Sequence, residues 1–350
     1  VEEYHILKDR EMLKDASIDP KNRELGESWS RSLAQAVRDV DQLVELLNLP
    51  KSLSPQALAA ARLFPLMVPK SYLNRIEPGN PSDPLLLQVL PLGDEFDQAP
   101  GFTEDAVGDN QSKTAPGLMQ KYAGRALFIA TGSCAVHCRY CFRRHYPYGD
   151  EPKTMAEWEP AFAALEADTS IKEVILSGGD PLMLTDARLA KLFERFNSIG
   201  HLSRLRIHSR LPIVLPDRMT DRLIDLMRSS RLTPIMVVHA NHPQELQNDC
   251  AQALKKIVQA GITVLNQAVL LKGVNDSIEP LEQLCERLVD LGVIPYYLHQ
   301  LDRVAGTAHF EVPEQVGRLL IEALRKKLPG YAIPQYVREI PGEGHKTPLF

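Results

Sequence analysis

The stretch Gly132-Ser133-Cys134-Ala135-Val136-His137-Cys138-Arg139-Tyr140-Cys141-Phe142-Arg143-Arg144 decides how the rest of the chain is read. It places three thiols at CxxxCxxC spacing directly after residues 126–131, an apolar run with the length and composition of a buried strand. Three soft thiolates from Cys134, Cys138 and Cys141 suit a [4Fe–4S] cluster that keeps one iron open for a small ligand. Zinc is the alternative, with His137 or His145 as a fourth ligand. Cys250 and Cys285 fall in helical patterns and read as small core residues. Five cysteines, three of them within eight positions, argue against a disulfide framework and for a reducing compartment.

Outward from the loop, short apolar runs recur at 126–131, 173–177, 204–208, 235–238, 263–267 and 293–298. Helical patterns lie between them at 189–196, 221–227, 247–260 and 281–291. This rhythm predicts repeated βα units around a parallel sheet. Six units are too few for a closed eight-stranded barrel, and a doubly wound open sheet also fits the rhythm. Polar residues follow the C-terminal ends of successive strands: Cys134, Gly178-Gly179-Asp180, His208-Ser209-Arg210, His239, Gln267 and His299. Barrel active sites are built at that face, so the expectation is an α/β fold with a partial (β/α)6 TIM-like barrel. Residues 1–28 read as an arm or short helix, residues 29–49 as one helix and residues 54–64 as another opened by Pro55. The proline-rich and extended stretch after them leads into the barrel. The expected organisation is a helical and extended region over 1–115, the barrel over 116–330, and a C-terminal segment over 331–350.

Hydrophobic residues make up 44% of the 350, enough for a sizeable core. With a net charge of -5 and a pI near 6.1 there is no basic surplus, so nucleic acid is not the default partner. The apolar runs are too short to span a bilayer, and Val-Glu-Glu-Tyr-His at the start has no signal-peptide pattern. The first residue is not Met, which suggests trimming. A cytoplasmic protein is expected.

The cysteine loop, with Tyr140 just before the last cysteine, resembles that of the radical S-adenosylmethionine (SAM) superfamily. The resemblance implies that SAM chelates the open iron and is cleaved to a 5′-deoxyadenosyl radical, and that the barrel is of the radical SAM type. Gly178-Gly179-Asp180 looks like the superfamily's SAM amine-binding motif, with glycine allowing close backbone approach and Asp180 able to orient the loop instead. Gln267, Ser209 and Arg210, at other strand ends, are candidate contacts to the same ligand. Arg143 and Arg144 suit a carboxylate or phosphate.

From about Trp29 to Phe350 the sequence closely resembles the lysine 2,3-aminomutase family. The shared stretches include Pro116-Gly117-Leu118, the cysteine loop through Arg144, Ser177–Leu182, Arg206-Ile207-His208-Ser209-Arg210, Asn241-His242-Pro243, Asn266-Gln267, Pro295-Tyr296-Tyr297-Leu298 and Gly342–Pro348. The resemblance implies a second cofactor, pyridoxal 5′-phosphate (PLP), tied to Lys346 in the C-terminal tail, with Lys121, Tyr122 and Arg125 toward its phosphate. It implies that Arg143 holds the α-carboxylate of substrate lysine and that Asp302 and Glu339 hold its ε-ammonium. Two positions depart from the family pattern: Lys121 stands where arginine is usual, and Glu339 where aspartate is. The implied reaction turns L-α-lysine into (R)-β-lysine, using a low-potential electron donor. No cysteine follows Cys285 and the chain ends four residues after Lys346. That most resembles the short bacterial form whose product a ligase attaches to elongation factor P, expected as a monomer or dimer. A free-lysine aminomutase of metabolism and a non-catalytic iron–sulfur or zinc interaction protein are the alternatives.

Overall fold

The computed structural model describes residues 23–350, with side chains from Trp29 onward; the arm expected over 1–28 lies outside the described residues as far as residue 22. Three helices come first: α1 (Arg23–Ala34), α2 (Val40–Leu46) and α3 (Ser54–Leu63). The helix expected over 29–49 is thus two. The chain leaves α1 so that Val37 can bridge to Val68, and Asp39 then starts α2 by accepting a hydrogen bond from the Gln42 N–H at 2.8 Å.

Ten strands form one sheet in chain order: β1 (Lys113–Ala115), β2 (Leu118–Tyr122), β3 (Arg125–Thr131), β4 (Glu173–Gly178), β5 (Arg204–His208), β6 (Thr233–Val238), β7 (Thr263–Val269), β8 (Ile294–His299), β9 (Gln335–Arg338) and β10 (Thr347–Pro348). Strands β3 to β9 are parallel, while β1, β2 and β10 are antiparallel additions at the two ends. Each strand from β3 to β8 is followed by a helix: α4 (Glu159–Ala167), α5 (Asp186–Ser198), α6 (Asp221–Arg228), α7 (Asn248–Gln259), α8 (Ile278–Asp290) and α9 (Glu314–Lys327). These are the six βα units of a partial barrel. Helix α9 then returns the chain to β9, a seventh parallel strand that brings the C-terminal segment into the same sheet.

Strand alternation sorts the side chains. Phe128, Val174, Leu176, Leu205, Ile207, Met236 and Val238 point outward and share one core with Leu189, Leu192, Leu223, Leu254 and Leu284 of the helices. Phe128 sits at its centre, 5.2 to 5.6 Å from the rings of Trp158, Phe162 and Phe196. Truncating such a side chain to alanine typically costs about 3–5 kcal/mol. The alternate positions carry Ser177, Arg206, His208, Gln267, Tyr297 and His299 among apolar residues such as Leu127, Ile175, Val237 and Leu265, so the inner face is mixed where the outer one is apolar. One sequence pattern therefore builds the core and lines the site.

Candidate active site

The cysteine loop follows β3 and is clamped by the N-terminal region. The His137 N–H bonds the Met67 carbonyl at 3.1 Å, and the Arg139 N–H bonds the Gln88 carbonyl at 2.9 Å. Both guanidinium groups of Arg139 and Arg144 bond the fully buried carboxylate of Glu95, Arg139 Nε at 2.7 Å and Arg144 Nη2 at 2.6 Å. Arg210, at the end of β5, donates from Nη1 to Cys138 Sγ at 2.7 Å and from Nη2 to Gln88 and Glu245 at 2.7 and 2.9 Å. It therefore serves the cluster loop directly. Burial pushes the Cys134 thiol up, and burial with the neighbouring Cys138 pushes the Cys141 thiol up to about 11. Such thiols become thiolates when metal takes the place of the proton. One ring nitrogen of each histidine considered for zinc is turned to backbone: His137 Nδ1 lies 2.8 Å from the Pro65 carbonyl and His145 Nε2 3.0 Å from that of Ala305. Among the described residues no three His, Cys, Asp or Glu side chains converge as a single-ion site requires.

The two glycines after β4 meet backbone. A Cβ on Gly178, whose φ is +125°, would lie 2.3 Å from the Thr131 carbonyl oxygen, and one on Gly179 would lie 2.4 Å from that of Ser133. The Gly179 and Asp180 N–H groups bond those same carbonyls at 2.7 and 2.8 Å. The glycines thus lock the end of β4 against the start of the cysteine loop. The Gly178 carbonyl accepts from the Tyr148 hydroxyl at 2.6 Å. Asp180 accepts from Ser209 Oγ at 2.8 Å and from the N–H groups of Leu182 and Arg210 at 3.0 and 2.7 Å, stitching β4 to β5. Burial raises its carboxyl to about 6 even against these bonds. Gln267, half-buried on β7, keeps its side-chain amide without a hydrogen bond among the described residues.

A second constellation joins strands far apart in the chain. Lys346 lies in the loop of the β9–β10 hairpin, and its ammonium bonds Glu339 Oε2 at 2.5 Å. Glu339 Oε1 accepts from Lys121 at 2.7 Å. The Lys121 ammonium also lies 2.6 Å from Asp109 Oδ1, an ion-pair contact and not an aligned hydrogen bond. Asp109 Oδ2 accepts from Arg143 Nε at 2.6 Å, and Arg143 Nη1 donates to Ser177 Oγ at 3.1 Å. Charges alternate along this row of five. Burial alone would raise Asp109 and Glu339, but Arg143 and Lys121 hold Asp109 down at about 2, and Lys346 and Lys121 hold Glu339 below the usual range. Asp302 lies within electrostatic reach of the same group with less compensation: burial and then Glu339 push its carboxyl up to about 7. Arg143, Asp302, Glu339 and Lys346 are therefore brought into one electrostatic group, although they come from three separate segments: the cysteine loop, the turn after β8 and the β9–β10 hairpin.

Arg125 stacks over the Tyr122 ring at 4.5 Å, and Arg125 and Arg206 both act electrostatically on Tyr297. Arg206 pairs with Glu173, yet its buried Nε has no partner. This basic and phenolic corner, with an orphaned donor, fits a phosphate group. Asp109 and Glu245 carry hydrogen bonds or ion pairs of the site without having drawn notice in the sequence, and Ser177 and Arg206, quoted there within shared stretches, were given no role of their own. Only Ser177 and Arg206 stand on strands whose alternation could have pointed them inward.

Residues 128–288 match the model of the radical SAM superfamily. The partial barrel with its three-cysteine loop is thus that of a radical SAM enzyme, and the family implies a [4Fe–4S] cluster and SAM. The chain is 44% identical over 321 residues to the L-lysine 2,3-aminomutase of Haemophilus influenzae, covering 92% of this chain and 95% of that protein. Against the enzyme of the same name from Escherichia coli it is 46% identical over 324 residues, covering 92% and 94%. Against that of Clostridium subterminale it is 31% identical over 341 residues, covering 97% and 80%. The chain belongs to the L-lysine 2,3-aminomutase family. It is an isomerase, which removes the alternative of a non-catalytic interaction protein.

Proposed function

We propose that this chain moves the amino group of free L-α-lysine to give (R)-β-lysine, with PLP as its second coenzyme. The observation that carries this reading is the acid pair. Glu339 and the half-buried Asp302 share a site whose present cation is the Lys346 ammonium, and Arg143 stands three contacts from Glu339 along the charge row. A lysine substrate carries the matching ends, an ammonium and a carboxylate. When bound, SAM and the cluster would supply a hydrogen-abstracting radical, and PLP would supply a carrier for the migrating amino group. Cys134, Cys138 and Cys141 would hold the cluster, with Arg210 on the Cys138 sulfur. Asp180 and Ser209 brace the SAM side of the mouth, and Gln267 offers its free amide there. Lys346 would tie the coenzyme to the protein, with Tyr122 and Arg125 turned toward its phosphate. Arg143 orients the substrate carboxylate, while Asp302 and Glu339 hold its far ammonium, fixing the carbon from which hydrogen is taken.

The product is read as destined for a ligase that modifies elongation factor P, which the sequence resemblance to the short bacterial form supports. The setting is cytoplasmic, the electrons come from a low-potential donor, and the enzyme acts as a monomer or dimer. Among the described residues no helix is long and apolar enough to cross a membrane. Lys346→Ala tests the coenzyme assignment: the visible band of bound PLP is expected to vanish while iron and sulfide stay at wild-type levels, and a persisting band refutes it. Mass spectrometry of elongation factor P from cells lacking the gene tests the destination, with an unaltered modification as the refuting result.

A further inference from the structure

Lys121 is surrounded by acceptors. An ammonium has three N–H donors and no acceptor. Those of Lys121 donate to Glu339 Oε1 at 2.7 Å and to the Val107 carbonyl at 2.8 Å, and Asp109 Oδ1 sits 2.6 Å away as an ion-pair partner, so the ammonium is already flanked by two carboxylates whose charge would repel a phosphate. The same ammonium separates two carboxylates that would otherwise repel. One of them, Asp109, holds Arg143; the other, Glu339, holds the Lys346 ammonium. Lys121 is partly shielded, its side chain 18% exposed, and Asp109 is almost wholly buried at 3%. A row of ion pairs in that setting is weakly screened and geometrically stiff.

From this geometry we infer that Lys121 is a positioning residue for substrate and not a coenzyme contact: with Asp109 it fixes the spacing between the arginine that takes an amino acid's α-carboxylate and the glutamate that takes its terminal ammonium. This rests on the lysine reading above and deepens it, because the row then measures the length of the substrate. A diamino acid one methylene shorter leaves one end of the row unpaired, and a stranded buried charge discriminates more strongly than a missing methylene does.

The test uses the reconstituted holoenzyme with Lys121→Met and Lys121→Arg beside wild type. PLP affinity is titrated by the absorbance of bound coenzyme, and kcat and KM are measured for L-lysine and L-ornithine. In Lys121→Met the PLP affinity is expected within twofold of wild type, the KM for lysine raised at least tenfold, kcat changed less than threefold, and the preference for lysine over ornithine lowered about tenfold. Lys121→Arg, which keeps the charge, is expected to recover most of that preference. A tenfold loss of PLP affinity with an unchanged KM for lysine makes Lys121 a phosphate contact and overturns the inference. An active wild type with kinetics unchanged in Lys121→Met overturns it alone. A wild type carrying cluster and PLP that neither binds nor converts lysine overturns the reading beneath it as well.

Discussion

Replacing Glu95 by Gln should loosen the cysteine loop and weaken the whole fold. Its carboxylate is the shared counter-ion of Arg139 and Arg144, and the three side chains are 0%, 0% and 2% exposed. Glutamine keeps the shape and one acceptor but leaves two buried cations side by side without a compensating charge. Breaking a buried pair in this way typically costs about 3–5 kcal/mol. Unfolding entropy scales as about 2.1 cal/mol/K per residue, hence roughly 0.7 kcal/mol/K for this chain, so Tm should fall by about 4–7 °C. Arg139 lies between Cys138 and Cys141, so the same variant should retain less iron after reconstitution. Anaerobic scanning calorimetry and iron analysis read both effects. Glu159→Gln is the control, since its pair with Arg195 is surface-exposed and worth at most about 1 kcal/mol. A Glu95→Gln protein that melts within 1 °C of wild type and holds full iron would show that the triad does not secure the loop.

Asp302 should give the reaction a pH dependence. With its carboxyl near 7, pushed there by burial and by Glu339, the ionised fraction rises from about one tenth at pH 6 to nine tenths at pH 8, so kcat/KM for lysine should rise about ninefold over that range. Asp302→Asn should remove the inflection and Glu339→Gln should move it to lower pH; an inflection unmoved by either refutes the assignment. The sign for stability is opposite: the folded carboxyl holds its proton between about pH 4 and 7 while the unfolded one does not, so stability falls as pH rises through that window, and Asp302→Asn should flatten the slope in urea titrations. Gly179→Ala drives a Cβ into the Ser133 carbonyl and should destabilise by about 1–3 kcal/mol; unchanged stability and iron content would contradict the backbone contact. Arg210→Met removes a donor and a positive charge from the Cys138 sulfur and should shift the cluster's midpoint potential to more negative values in an EPR redox titration, with a positive shift or none as the contrary result.

The barrel was legible because its strands obey two simple rules, apolar runs at a regular spacing and polar residues at their C-terminal ends. Strand β9 escaped that reading because four residues, Gln335–Arg338, are too few to show periodicity; only pairing with β8 makes them a strand. The break between α1 and α2 was hidden because the apolar spacing runs on through Val37, whose backbone is claimed by Val68, 31 positions away, a tertiary choice that local pattern does not encode. Cys134, Cys138 and Cys141 announce themselves by spacing. Asp109 and Glu95 do not, since an acid in an irregular segment looks solvated until the fold sets an arginine on it. Lys121 shows a different limit: its residue type suits a phosphate, and only the three acceptors around its ammonium point to another task.

An oxygen-free reaction of the reconstituted protein with L-lysine, SAM, PLP and a strong reductant, followed by chiral amino-acid analysis, puts the whole account at risk. It predicts accumulation of (R)-β-lysine that requires both SAM and PLP. Protein with a full cluster and bound PLP that leaves L-lysine unchanged would contradict it.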